Sequence, residues 1–283
     1  MVFKSAVHLA RISRFVRPKL RDLYQRRLAQ GPEPYRHPSM WNQTWNYDAE
    51  CFAFTNRIVE KFDENDLPLV LTDKSFGDGT INNEELSMSG RVVTMDKLMK
   101  IVSKIYPFIP EDWKNNIISK LMSENYSANS AAKIGLKDII LYQPRSSPPC
   151  NKILSDSLFA LVTIINKVPE QTETFIRDII AHPLYEVDIS EDPWCPTDIL
   201  RDPFGFYRAQ IAHKNDDLEF RIVQQTALGT ILACHYVGLF CNKEMIGEGP
   251  GETLEIAMQS AAMDAIRNNY NLNDQKSKMV VFS

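Results

Sequence analysis

The chain has 283 residues, of which 44% are hydrophobic and 24% charged, and its formal net charge at pH 7 is −4. This composition is typical of a globular protein with ample material for a core. No apolar run approaches the ~18 residues that a membrane-spanning helix requires, so we expect no membrane span.

The net charge conceals a marked asymmetry. Residues 1–40 contain nine Lys and Arg against two Asp and Glu, whereas the remaining residues are acidic overall. The first 21 residues contain no acid and place apolar side chains at roughly helical spacing between basic ones. This pattern is typical of a mitochondrial transit peptide. A basic arm that lies on nucleic acid or on a partner is the alternative, and the two are compatible.

The chain contains five widely spaced cysteines without a C-x-x-C pair, and its histidines lack zinc-ligand spacing. We therefore expect buried, reduced thiols, and neither a metal site nor a cofactor.

Residues 30–47 are rich in proline and aromatic residues and lack periodicity, which predicts an extended segment. This segment is the last part of a predicted N-terminal region, 1–47. Residues 48–184 are predicted to form an all-α domain. Leu98, Ile101, Val102 and Ile105, for example, follow the i, i+3, i+4, i+7 spacing of one helix face.

The pattern changes in the C-terminal part. Residues 185–201 contain two prolines and are predicted to be a linker. Asp202 and Pro203 look like an N-cap and a first helical residue. Two runs rich in β-branched and aromatic residues follow, then a hairpin at Asn242-Lys243, a third strand and a final helix. The predicted order over 202–270 is α-β-β-β-α, with a tail at 271–283.

This order resembles a double-stranded-RNA-binding domain. The family has a glycine-containing turn after its third strand and an Ala-Ala pair inside its last helix. Here the pair is Ala261-Ala262. The expected turn glycines are Gly247, Gly249 and Gly251.

The sequence departs from that family where RNA is held. The family carries a lysine cluster at the start of the last helix, whereas this chain has Glu252 and Glu255 there. The family's Gly-Pro-x-His loop is replaced by TALGT, residues 226–230. Carboxylates repel a phosphate backbone, so we expect the fold without the usual RNA grip, and a glycine turn that holds no phosphate.

The helical part resembles ribonuclease III. LVLTDKSF (69–76) and NNEELSMSGRVV (82–93) are similar to two segments of that family, the second being its signature helix. ILSDSLFALVTII (153–165) is similar to its second metal-binding helix. The implied architecture is multidomain: an all-α ribonuclease III-like domain followed by an α+β double-stranded-RNA-binding-like domain.

Ribonuclease III holds Mg²⁺ with clustered carboxylates at the scissile phosphate. The resemblance implies that Glu84 and Asp156 are remnants of that cluster. Ser87, Arg91 and Phe159 stand where the family has three further acids. A cation at a metal position repels Mg²⁺, so we expect no catalytic residues and no enzyme activity, with Arg91 paired to Asp156 or Glu84.

Taken end to end, the chain resembles the mitochondrial large-ribosomal-subunit proteins of the ribonuclease III superfamily. The resemblance implies a structural subunit of the mitoribosome in the matrix, which contacts ribosomal RNA and neighbouring ribosomal proteins and has no small-molecule substrate. Two alternatives remain: a free mitochondrial accessory protein that pairs with an active nuclease, and an endonuclease for structured RNA. Candidate RNA-binding residues in the basic N-terminal segment are Arg17, Lys19, Arg21, Arg26, Arg27 and Arg36.

Overall fold

The computed structural model describes residues 44–58, 66–76, 82–143, 147–227 and 229–272, together with Lys19, Arg21, Asp22, Leu23, Gln25, His37 and Ser39. The chain divides into two compact units. Met1–Trp45 with Pro144–Pro148 forms one, and Asn46–Gln143 with Pro149–Ser283 forms the other. In the smaller unit, the His37 ring lies edge-on to Trp45, with 5.5 Å between the ring centroids.

The described part of the larger unit begins with helices, as the sequence predicted. Their bounds are α1 Tyr47–Ile58, α2 Leu67–Leu71, α3 Glu84–Ile105, α4 Glu111–Leu121, α5 Glu124–Lys133, α6 Leu136–Ile139, α7 Asn151–Ile165, α8 Pro169–Phe175, α9 Pro183–Glu186 and α10 Thr197–Arg201. A π-helical turn, Ile176–Ile180, extends α8. Each of these helices is too short or too polar to cross a membrane, as is every other helix in the described part of the chain.

The core of the helical part forms around α3 and α7. The four residues that share one predicted face of α3 are all buried. α7 is buried over most of its length, since ten of its fifteen residues are inaccessible. Gly90 is what allows α3 and α7 to approach closely, because a Cβ there would lie 1.8 Å from the Phe159 carbonyl oxygen.

The C-terminal part follows the predicted order. Helix α11, Pro203–Phe206, continues into a second π-helical turn, Tyr207–Ile211, and is followed by β1 Leu218–Thr226, β2 Cys234–Cys241, β3 Glu244–Gly251 and α12 Leu254–Asn269. The Asp202 side chain accepts a hydrogen bond from the Gly205 N–H at 2.9 Å, which confirms the predicted N-cap. The strands form an antiparallel sheet in the order β1-β2-β3.

The predicted β2–β3 hairpin is also confirmed. Asn242 and Lys243 both have positive φ, 51° and 76°. Two consecutive residues of this kind form the turn whose twist matches that of antiparallel strands.

The prediction that Gly247, Gly249 and Gly251 form a turn was wrong, because all three lie inside β3. They alternate along the strand and therefore point to one face of the sheet. A Cβ at Gly249 would lie 2.6 Å from the Ala261 nitrogen, and one at Gly251 would lie 2.3 Å from the Ala257 nitrogen. The glycines let the α12 backbone rest directly on the strand. The connection itself is Glu252-Thr253, and the Thr253 hydroxyl caps α12 by accepting from the Ile256 N–H.

Residues 187–196 lie between the helical part and α12 within the larger unit. Trp194 is buried, its ring packs edge-on against Tyr126, and its carbonyl oxygen accepts from Asn116 at 2.8 Å. Arg267 on α12 donates to the Ser190 hydroxyl at 2.6 Å and pairs with Asp188 at 3.2 Å. This segment thus makes specific contacts with both α4 and α12.

Candidate functional site

Asp156 on α7 faces Ser87 and Arg91, which lie one turn apart on α3. An Arg91 guanidinium nitrogen lies 2.8 Å from Asp156 Oδ1, and the Ser87 hydroxyl donates to the same oxygen at 3.0 Å. The Arg91 and Asp156 side chains are 33% and 21% exposed, so the pair is only partly solvated. The pairing expected from the sequence is therefore found at Asp156.

A second set of contacts fixes the guanidinium from other directions. Arg91 also donates to the Ser155 hydroxyl at 3.1 Å, and the Ser127 hydroxyl donates to that same oxygen at 2.8 Å. The Phe159 ring lies below the guanidinium, with 4.4 Å between the Arg91 Cζ and the ring centroid. This geometry is a cation–π contact. Arg91 therefore sits between a carboxylate, a hydroxyl and an aromatic face.

Glu84, the other acid singled out in the sequence, is not part of this cluster. It begins α3, and its carboxylate accepts from Lys74 at 3.0 Å at an exposed position. Glu84 and Asp156 thus each have a basic partner of their own. Within the described residues no group of three or more His, Cys, Asp and Glu side chains is placed to hold a metal ion.

Several contacts around this cluster were missed by sequence reasoning. Lys74, Ser127 and Ser155 were not singled out, because their roles depend on how α5, α7 and the loop before α3 meet. Asn83 was missed in the same way, although it is buried and donates to the Ser157 hydroxyl at 3.0 Å. Its place in the NNEELS motif was the one available signal.

Of the candidate RNA-binding residues, Lys19 and Arg21 lie in a helical segment and are exposed. Arg17, Arg26, Arg27 and Arg36 lie outside the described residues. Their role stays a prediction.

The five cysteines differ in their burial. All five cysteines are free. Cys195 is buried, and burial raises its pKa to about 12, with Arg267 opposing the rise and Asp188 adding to it. Cys150 is exposed, and Cys51, Cys234 and Cys241 are only partly buried, so the expectation of buried thiols is confirmed for Cys195 and was wrong for Cys150.

Two sequence-family models match this chain in the order in which the two parts occur. One, described as the endonuclease domain of the large ribosomal subunit protein mL44, matches residues 46–165. The other, described as the MRPL44 dsRNA-binding domain, matches residues 199–283. Together they span well over half of the chain.

The chain belongs to the mL44 family. A curated member, the large ribosomal subunit protein mL44 of Caenorhabditis elegans, is 23% identical over 289 residues, covering 93% of this chain and 70% of the relative. The mL44 family thus accounts for both the ribonuclease III-like helical part and the α+β part that follows it.

Two solved structures are also similar to this member of the mL44 family. The nuclease domain of ribonuclease III from Campylobacter jejuni is 24% identical with a TM-score of 0.42, covering 48% of this chain and 96% of that domain. Dicer from Pichia stipitis is 14% identical with a TM-score of 0.38, covering 72% of this chain and 94% of that structure.

Proposed function

We propose that this protein is a structural component of the mitochondrial large ribosomal subunit in the matrix, where it contacts ribosomal RNA and neighbouring ribosomal proteins. The observation that carries the proposal is the match to two mL44 family models in chain order, together with a relative named as a large ribosomal subunit protein that aligns with 93% of this chain. The acid-free basic N-terminal segment is consistent with import.

We further propose that the protein does not hydrolyse RNA. The support is the Arg91–Asp156 pair. A guanidinium cannot be deprotonated in a protein and here lies 2.8 Å from the carboxylate that the resemblance assigns to metal binding. A Mg²⁺ ion at the same carboxylate would have to displace a fixed positive charge. The proposal therefore assigns Arg91 a structural role in joining α3 to α7.

We propose that the basic N-terminal segment contacts RNA. The domain limits predicted from the sequence, 48–184 and 202–270, are part of the same proposal. Between Gln224 and Ile256 the C-terminal part contains one Lys or Arg, at Lys243. Binding to a phosphate backbone depends on neutralising several phosphates. The remaining basic residues of the sheet and α12 are few, so we assign this part mainly to protein contacts.

The test is sedimentation of mitochondrial lysate through a sucrose gradient, with this chain detected in each fraction. We expect it to travel with the large subunit and to leave that position after treatment with ribonuclease. Migration as a small heterodimer that is insensitive to ribonuclease would contradict the proposal and favour the accessory-protein alternative.

A cleavage assay tests the second proposal. Purified full-length protein should leave duplex RNA intact in Mg²⁺. Cleavage that disappears in Asp156→Ala would show that the remaining acids still hold a working metal site.

A further inference from the structure

One end of the C-terminal sheet brings two segments together. Thr226 pairs with Cys234 across β1 and β2, and His235 pairs with Gly251 across β2 and β3. The loop that joins β1 to β2 therefore lies at the same end as the start of α12, which follows Gly251 by three residues. The β2–β3 hairpin, with Lys243, lies at the opposite end of the sheet.

This end exposes large apolar side chains. Ile231 is fully exposed and Leu232 is 76% exposed, both in the loop before β2. Leu254 and Ile256, in the first turn of α12, are 40% and 49% exposed. Single exposed apolar residues are ordinary, but four from two segments at one end of the sheet indicate an interaction surface.

The charges of the same two segments have one sign. Glu252 and Glu255 are both exposed beside Leu254 and Ile256, and Lys and Arg are absent from residues 226–235 and 251–256. We call Ile231, Leu232, Glu252, Leu254, Glu255 and Ile256 the loop–helix patch.

We propose that the loop–helix patch docks a basic segment of a neighbouring protein, whose apolar side chains cover the four exposed residues and whose Lys or Arg side chains pair with Glu252 and Glu255. The inference rests on the proposed ribosomal function, since it names one contact that this function requires.

The choice of occupant follows from the chemistry of the patch. A nucleic acid would bring phosphates against two carboxylates and would leave the apolar side chains without a matching surface. A basic protein segment satisfies both halves, because complementary charge guides association while apolar anchors bury the patch.

The test places a photo-crosslinking amino acid, p-benzoylphenylalanine, at Ile231 or at Ile256 of the full-length chain in mitochondria. Large subunits are purified, irradiated and analysed by mass spectrometry. A third chain with the probe at Phe108, which is 60% exposed in the helical part, is the control. We expect both patch positions to crosslink to one Lys- and Arg-rich segment of the same neighbouring protein, and the control position to give different products.

Three results would overturn the inference: crosslinks from the patch to RNA, crosslinks to residues 273–283 of this chain, or no crosslink although the probe-bearing chain is present in the subunit. Absence of the unmodified chain from the large subunit would instead contradict the proposed function, so the two failures are distinguishable.

A pair of charge-reversal variants tests the role of Glu252 and Glu255 in the loop–helix patch. Glu252→Lys with Glu255→Lys should lower the Ile231 crosslink yield to that neighbour about tenfold, since like charges would then meet across the contact. Glu111→Lys with Asp112→Lys makes the same change in the exposed first turn of α4, and it should leave the yield unchanged. Equal loss in both variants would show a general effect on folding and would overturn the assigned role of Glu252 and Glu255.

Discussion

Arg91 joins α3 to α7 through three different kinds of contact. Its contacts with Asp156, Ser155 and Phe159 use the charge, the hydrogen-bonding capacity and the flat face of one guanidinium. Lysine would offer only a point charge in the same place. The resemblance predicted a pairing of Arg91 with Asp156 or Glu84, because it put the three residues in one site, and the structure shows the pairing with Asp156. It could not predict Ser127, which contacts Ser155 from α5, or Lys74, which pairs with Glu84 outside the cluster.

Replacing Arg91 should destabilise the fold. Arg91→Ala removes a partly buried partner from Asp156 and leaves only the Ser87 hydroxyl on its Oδ1. We expect a loss of about 2 kcal/mol in the free energy of unfolding. Lys74→Ala breaks an exposed ion pair with Glu84 and should change it by less than about 0.5 kcal/mol. Denaturant titration of the full chain measures both, and equal effects would refute a special role for Arg91.

The cysteines make a residue-scale prediction about pH. The ordinary pKa of the thiol is 9.0, and in the folded state that of Cys195 is raised to about 12. The thiolate is the reactive form, so iodoacetamide at pH 8 should modify exposed Cys150 at least about tenfold faster than Cys195. Because the pKa is higher in the folded than in the unfolded state, the neutral Cys195 thiol contributes to the free energy of unfolding. This contribution is complete below pH 9 and is lost as the pH rises toward 12. Peptide mapping after alkylation checks the rates, and rapid modification of Cys195 in the folded protein would count against its burial.

At the scale of elements, periodicity predicted most of what forms. The apolar face of α3 and the Asn242-Lys243 hairpin were both identified from local pattern, because helix and turn geometry depend on neighbours in sequence. The glycines of β3 were misplaced for the opposite reason. A glycine favours turns locally, but Gly247, Gly249 and Gly251 are explained by contact with α12, and local pattern does not show that the helix folds back onto the strand. Their spacing of two was the signal for a strand.

The contact between β3 and α12 predicts a sharp effect of one methyl group. Gly249→Ala would place a Cβ 2.5 Å from the Ser260 hydroxyl and 2.6 Å from the Ala261 nitrogen. The helix would have to shift, at a cost of about 2–3 kcal/mol. Gly229→Ala is the control: its φ is 78°, but nothing lies within 4 Å of the added Cβ, so we expect only the backbone cost of about 1 kcal/mol. Thermal unfolding measures both, and the account fails if Gly229→Ala is the more damaging change.

At the scale of the molecule, the described helical and C-terminal parts belong to one compact unit. The Trp113 ring packs edge-on against the Tyr270 ring, and Asn116 donates a hydrogen bond to the Trp194 carbonyl oxygen. Arg267 donates a hydrogen bond to the Ser190 hydroxyl and forms an ion pair with Asp188. The sequence showed a change of pattern at 185–201 but not these contacts, since prolines and acids in a short segment do not reveal what it packs against.

These contacts predict that the two parts unfold together. Tryptophan fluorescence and far-ultraviolet circular dichroism should give coincident transitions in denaturant. Arg267→Ala should move both transitions by the same amount, whereas Arg208→Ala, at an exposed position, should move neither. Two separated transitions in the unmodified protein would show that the parts are independent.

The central claim is that the protein serves the large subunit by its shape and contacts and without metal-dependent chemistry. The most direct measurement is rescue of mitochondria depleted of this chain by a variant with Glu84→Gln and Asp156→Asn, which removes both remaining acidic charges with little change in side-chain size. Asp156→Asn weakens the pair with Arg91 and lowers the amount of folded chain, so the account predicts that each copy that enters the large subunit supports mitochondrial protein synthesis at the level of the unmodified chain. A variant that enters the subunit normally but leaves unprocessed RNA and no protein synthesis would contradict it.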